Sequence, residues 1–410
     1  MLIILYNVYE VNDMIKREKY LSQMRNFYDK DLIKVITGIR RCGKSVLLKQ
    51  IIDELKEQGI DNEHIIYINF ENIKFANITD YMKLNEYIEP KFTDEDKYYL
   101  FFDEIQVVKD WEKLIASYKA TLNVSIFITG SNSKLLSGEL ATLLTGRYVA
   151  FKMAPFTFKE VVELKKLKSK EDIKNEFFNY ILWGGMPQRF DFDDEESMKV
   201  FLYDIFNSIV LKDIVKRYNI KNVTIFERIM EYLVTNPSQV FSTKNMLNEF
   251  EKEEIPISTK TVYDCLDYAE ASMLMSKVSE YDIRGKRILS RKDKYYLTDL
   301  GLGQILNTNK KSQYGAYLEN IVYNELIYRG YNVSIGNNDG KEIDFVATRY
   351  GKKEYFQVCY SLNDENQERE FGAFNGIDDN YPKYVISIDE LDFSQNGIIH
   401  KNIIEWLLED

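Results

Sequence analysis

The segment Gly38-Ile39-Arg40-Arg41-Cys42-Gly43-Lys44-Ser45 constrains this chain more than any other. It fits the pattern G-x-x-x-x-G-K-[ST]. An apolar run over 32–37 precedes it, and a helix-like stretch over 46–55 follows. That strand–loop–helix setting turns the pattern into a mechanism. Glycines let the backbone curl until successive N–H groups face one point. The helix N-terminus adds partial positive charge there, and together they make a cradle for the β-phosphate of a nucleotide. The candidate binding residues are Gly38, Ile39, Arg40, Arg41, Cys42, Gly43, Lys44, Ser45 and Val46. Lys44 reaches the β- and γ-phosphates, and the Ser45 hydroxyl suits Mg²⁺. Arg40 and Arg41 face either phosphate or solvent.

A second run, 98–102, leads four hydrophobic residues and more into Asp103-Glu104, the Walker B arrangement. Asp103 at the strand tip is expected to hold Mg²⁺ through water, and Glu104 to orient or deprotonate the attacking water. The bland alternative is a solvated strand end. Another β-rich run, 64–70, lies between the phosphate loop and Asp103. With the glutamate after the aspartate, this is similar to the additional-strand, catalytic-glutamate division of P-loop NTPases. No N-K-x-D guanine motif is evident, so ATP with Mg²⁺ is the expected cofactor pair. The next run ends in Thr129-Gly130-Ser131-Asn132-Ser133, a polar tip where related ATPases place a γ-phosphate sensor. Asn132 or Ser131 is the candidate, while Ser131 or Ser133 also suits an N-cap for 134–136. Arg147, just before a fifth β-rich run at 148–153, is a candidate arginine finger, in cis or from a neighbouring subunit of a homo-oligomer. An ordinary surface arginine is the other reading.

The runs at 32–37, 64–70, 98–102, 125–129 and 148–153 are nearly continuous in apolar residues, as strands covered on both faces are. We therefore expect an α/β fold: a parallel P-loop NTPase sheet with helices on both faces. The expected organisation is an N-terminal extension and helix over 1–31, the P-loop core over 32–155, a helical lid or linker over 156–235, a winged helix-turn-helix over 236–308, and an α+β unit over 309–410. Residues 1–13 read as a loose extension. The wing is expected around 282–287, after two short capped helices at 242–250 and 258–269.

Composition narrows the chemistry. Three cysteines, Cys42, Cys265 and Cys359, are far apart, and only two histidines, His64 and His400, are present. This argues against a disulfide framework, a structural zinc site or histidine-based catalysis, and for a reducing cytoplasm. No stretch approaches 18 consecutive apolar residues, so no membrane partner is expected. The formal net charge of −11 disfavours global attraction to nucleic acid, so DNA contact needs a local patch. The segment 284–294 supplies one: Arg284, Lys286, Arg287, Arg291, Lys292 and Lys294 are six basic residues in eleven. Asp264, Asp267 and Glu270 follow the start of the candidate recognition helix and would repel a phosphate backbone. The expected contact is thus sequence-nonspecific and made through the wing; the alternative is a winged helix that packs between domains.

Taken together, these residues resemble the prokaryotic AAA-type ATPases that carry a C-terminal domain of unknown function. The resemblance runs from Met14 to the end. It is carried by the phosphate loop, Phe101-Phe102-Asp103-Glu104-Ile105-Gln106, the 128–133 tip, Gly146-Arg147, the 153–160 segment, Gly184-Gly185-Met186-Pro187, the 340–345 segment and 355–360. It implies an ATPase core, a winged helix and a restriction-endonuclease-like C-terminal fold. Nucleases of that type use a helix Glu, a strand Asp and a Glu/Gln-x-Lys on the next strand. Glu319, Asp344 and Gln357 fit that spacing as a second metal set, but Cys359 stands at the lysine position. The leading function is an ATP-hydrolysing protein acting on or near DNA. The alternatives are a nucleotide-gated switch with slow hydrolysis and a Mg²⁺-dependent nuclease regulated by the ATPase core.

Overall fold

The computed structural model describes residues 15–132, 144, 146–306 and 313–409, without the side chains of 212 and 289–292. The extension expected over 1–13, Ser133, the helix start at 134–136 and the Arg291 and Lys292 side chains lie outside the described residues. The chain forms two compact units, divided after Met153.

In the first unit, helix α1 (Glu18–Arg25) precedes strand β1 (Ile33–Gly38) and helix α2 (Lys44–Glu57). Strand β2 (Ile65–Asn69), helix α3 (Tyr81–Ile88), strand β3 (Tyr98–Asp103), helix α4 (Trp111–Thr121), strand β4 (Val124–Gly130) and strand β5 (Tyr148–Met153) follow. All five strands are parallel, in the order β2-β3-β4-β1-β5. The central strands β1, β3 and β4 are buried at every position. The edge strands β2 and β5 are only partly covered. Their apolar runs look central in the sequence, but an edge strand has a neighbour on one side alone. The inserted strand β4 separates β3 from β1, so the tips of β1, β4 and β3 line up along one sheet edge. That edge is where ligands bind in open α/β sheets.

The same core holds a buried cation. Lys34 on β1 is fully buried, donates to Ser125 Oγ at 2.7 Å and lies 4.5 Å from the Phe127 ring centroid. Burial, with a smaller contribution from Lys97, pulls its ammonium down to about 7. Between that value and the ordinary lysine range, the unfolded chain binds a proton that the folded chain does not. Stability therefore rises with pH across that window, by about 3–5 kcal/mol in total. Lys34→Met is expected to raise the urea midpoint at pH 7 and to flatten the rise between pH 7 and 10. An unchanged pH profile in the variant would refute this account.

The second unit begins with helices over Phe158–Leu164, Lys170–Trp183 and Glu195–Ser208, a π-helical stretch at Ile209–Lys216, and a helix over Val223–Thr235. Two further helices, Thr243–Lys252 and Thr259–Ala271, are capped by Ser242 and Ser258. An antiparallel hairpin of β6 (Met275–Asp282) and β7 (Arg287–Leu297) comes next. Helix Tyr314–Tyr328 leads into β8 (Asn332–Asn338), β9 (Lys341–Arg349), β10 (Lys352–Val358), β11 (Lys383–Ser387) and β12 (Ile399–Asn402). These strands form one seven-stranded mixed sheet, β12-β11-β10-β9-β8-β6-β7. The hairpin expected as a wing is thus hydrogen-bonded to β8, through Glu280–Ile335, Tyr281–Gly336 and Asp282–Asn337.

Candidate nucleotide site

The phosphate loop is shaped by two residues with positive φ, Arg41 at 64° and Gly43 at 105°. Gly43 caps α2 in the left-handed region, which only glycine adopts at no steric cost. Gly38 is needed for space: a Cβ there would sit 2.5 Å from the Met153 carbonyl oxygen. Lys44, the first residue of α2, is buried and donates to the carbonyls of Gly38 at 3.1 Å and Ile39 at 3.3 Å. It also pairs with Glu104 Oε1 at 3.2 Å. Burial works against both charges, but each offsets it for the other: Lys44 ends raised and Glu104 lowered, so both are ionised at neutral pH.

Glu104 reaches Lys44 through a backbone irregularity. Its φ is 57° and ψ 47°, a left-handed conformation that costs a non-glycine residue about 1–2 kcal/mol. This turn follows β3 at once and sends the carboxylate back toward α2. Gln106 Nε2 donates to its other oxygen. Asp103, fully buried, accepts from Thr129 Oγ1 at 2.5 Å, Tyr67 OH at 3.0 Å and Asn69 Nδ2 at 3.1 Å. Thr129 Oγ1 in turn accepts the Glu104 N–H at 2.9 Å. Thr129 therefore clamps both acidic residues from the neighbouring strand. Ser131 and Asn132 are buried at the same strand tip, and Ser131 Oγ has no partner within the described residues. Ser45 and Val46 are half-buried on the first turn of α2.

Several contributors have no motif to announce them. Arg17, buried to 2% exposure, donates from Nη1 to the Cys42 carbonyl at 3.3 Å and so braces the loop from outside. Cys42 itself is buried, and burial pushes its thiol up. Arg40 leaves the loop to pair with Glu71 at 2.7 Å. Tyr67 and Asn69, two residues apart on β2, share one face of the strand.

Comparison with known proteins agrees with this geometry. Residues 30–162 match the AAA_14 model, an AAA domain, and residues 174–313 match a domain of unknown function, DUF8612. An uncharacterized protein of Haemophilus influenzae is 39% identical over 399 residues, spanning 97% of this chain and 99% of that one. An uncharacterized protein of Methanocaldococcus jannaschii is 34% identical, over 83% of this chain and 78% of its own length. The chain belongs to the AAA-type P-loop ATPases. Among solved structures, the Walker-type ATPase of Pyrococcus abyssi covers 72% of this AAA protein and 96% of its own chain, at 17% identity and a TM-score of 0.47. The Aeropyrum pernix ORC1 protein in complex with DNA covers 73% and 94%, at 11% identity and a TM-score of 0.34.

The residues of this AAA protein fit a nucleotide with Mg²⁺. Gly43 turns the loop through the left-handed region, Lys44 and Ser45 stand at the helix start, and Ser131 offers a buried hydroxyl without a partner among the described residues. Arg147 stands apart from these residues. It is exposed, and its carbonyl accepts the Ile33 N–H at 2.9 Å, at the beginning of β1. The phosphate loop follows the other end of that strand, five residues and about 17 Å away. Arg147 cannot act in cis on phosphate; such a role requires a neighbouring copy.

In the second unit, Glu319 on helix Tyr314–Tyr328, Asp344 on β9 and Gln357 on β10 do come together. Their polar atoms are engaged by protein partners. Gln357 Oε1 accepts the Asp344 N–H at 3.3 Å, and Gln357 Nε2 donates to Glu370 at 3.0 Å. Asp344 Oδ2 accepts the Val358 N–H at 2.7 Å. Lys294, the last residue of the basic segment, is buried among them and not available to DNA. Arg284, Lys286 and Arg287 remain exposed at the β6–β7 turn. No helix among the described residues is long and apolar enough to cross a membrane.

Proposed function

We propose that this AAA protein binds ATP with Mg²⁺ in the 38–46 loop, hydrolyses it, and acts on or near DNA. The observation that carries the hydrolytic reading is the buried Lys44–Glu104 pair joined to Asp103 through Thr129. When bound, Mg²⁺ would supply neutralisation of the negative charge that develops on the phosphates. Ser45 and Asp103 are the residues to hold it, Asp103 with both carboxylate oxygens pre-oriented by three side-chain donors. Lys44 exchanges loop carbonyls for phosphate oxygens. Glu104, kept ionised by Lys44, accepts a proton from the attacking water or orients it. Ser131 and Asn132, buried just past β4, would sense the γ-phosphate. Arg147 would contribute only from a second copy in an oligomer.

DNA contact rests on the exposed Arg284, Lys286 and Arg287. Turnover measured with and without single- and double-stranded DNA, beside mass in solution, tests it. Stimulation by DNA is expected, and changing all three residues to Ala should abolish it. The salt slope of DNA binding should fall by about 3 units, one for each phosphate that these cations no longer neutralise. If DNA leaves turnover unchanged while nucleotide changes the mass, the protein is a nucleotide-gated switch instead.

A further inference from the structure

The restriction-endonuclease-like resemblance calls for a divalent cation between Glu319 and Asp344, and the residues present do not suit one. The Lys294 ammonium lies 2.9 Å from Glu319 Oε1, 2.7 Å from Glu342 Oε1 and 4.0 Å from Asp344 Oδ1. Glu319 Oε1 also accepts the Tyr296 hydroxyl at 2.6 Å. Asp344 Oδ2 and Gln357 Oε1, two further natural ligand atoms, each accept a backbone N–H. Among the described residues, the one group of three His, Cys, Asp or Glu side chains whose ligand atoms lie within 4.8 Å of one another is His64, Asp94 and Asp96, in the other unit. Mg²⁺ demands near-octahedral oxygen ligands at about 2.0–2.1 Å, which these carboxylates do not offer around Lys294.

We propose that Lys294 is a built-in cation that takes the place of the metal in the second unit. It belongs to β7, where it pairs with Val278 of β6, while the carboxylates belong to helix Tyr314–Tyr328 and to β9. The ammonium fastens the hairpin to the rest of the unit, and it closes the site to divalent cations. Cys359, just past β10 at the position where such nucleases carry their lysine, is consistent with this: the ammonium on the carboxylates comes from β7.

Binding of Mn²⁺ to the nucleotide-free full chain, followed by electron paramagnetic resonance of the free ion, tests the proposal. Wild type and Asp344→Asn should bind the same number of Mn²⁺ ions, and neither should cleave DNA with Mg²⁺ or Mn²⁺. Lys294→Ala leaves the carboxylates buried without a counter-charge. It should lower the melting temperature by about 10 °C, gain one Mn²⁺ per chain bound at least 10-fold more tightly, and recover stability with Mn²⁺. That gain should vanish in Lys294→Ala/Asp344→Asn. A Mn²⁺ site in wild type that Asp344→Asn removes, or Asp344-dependent cleavage, overturns the proposal. So does a folded Lys294→Ala that gains no ion. If Lys294→Ala does not fold, the comparison of wild type with Asp344→Asn still decides.

Discussion

Glu104→Gln is expected to bind ATP much as wild type does and to lose turnover by about 10²–10⁴-fold, the usual contribution of a positioned general base. In barrier terms this is about 3–5 kcal/mol. The structure explains why binding and turnover separate. Lys44 keeps two loop carbonyls, Gly38 and Ile39, as partners when the charge on Glu104 is removed. The glutamine side chain has nearly the same shape, so the left-handed turn after β3 is undisturbed. Lys44→Ala, by contrast, should lose nucleotide affinity as well, because no other loop side chain places an ammonium at the start of α2. Nucleotide binding by fluorescence and single-turnover hydrolysis read the two effects apart. Wild-type turnover in Glu104→Gln would remove the glutamate from the mechanism and leave the loop as a binding site only.

The second large effect concerns stability. Gly184→Ala and Gly185→Ala should each cost about 3 kcal/mol or more. A Cβ on Gly184 would fall 1.8 Å from Asp299 Oδ1, and one on Gly185 would fall 2.0 Å from the Phe156 carbonyl oxygen. Neither neighbour can retreat. Asp299 is fixed by the N–H groups of Gly185 at 2.7 Å and Gly301 at 2.9 Å. Phe156 is fixed by its own N–H on the Gly185 carbonyl at 2.8 Å and by the Tyr180 hydroxyl on its oxygen. Burial pushes the Asp299 carboxyl up to about 6 despite those donors, a sign of how closed the site is. Gly340→Ala is the control. It has a φ of 87° with nothing within 4 Å of a Cβ, so only backbone strain of about 1 kcal/mol applies. Urea unfolding of the full chain measures all three, and equal losses at 184, 185 and 340 would contradict the steric account.

These glycines also explain the 153–160 segment, which the sequence offers only as a family likeness. Thr157 and Glu160 form a reciprocal capping box that starts helix Phe158–Leu164. The adjoining Phe156 backbone is the surface against which Gly185 packs. Both stretches read as motifs, and here they are two sides of one packed junction.

What was legible in the sequence is what is decided within a few residues. The phosphate loop depends on glycine conformations and a helix start, and Asp103-Glu104 depends on where one strand ends, so local pattern places them. The apolar runs of β1, β3 and β4 also carry the parallel sheet, because burial on both faces leaves no alternation there. The rest depends on strand order and register, which no local window holds. Thr129 reaches Asp103 across 26 positions because β4 lies between β3 and β1. Arg17 reaches the Cys42 carbonyl across 25 positions. Arg147 has the sequence neighbours of an arginine finger, yet the parallel pairing of β5 with β1 puts it at the wrong end of the sheet. Lys294 is the sharpest case. One basic residue among six, it is turned inward because β7 brings it beside Glu319, and only the fold separates a buried counter-ion from a DNA contact. The turn of the 38–45 loop into α2 was legible in the sequence alone, since backbone geometry there is set by neighbouring residues. Which charges meet was decided by tertiary structure, since a buried charge takes its meaning from partners far away in the chain.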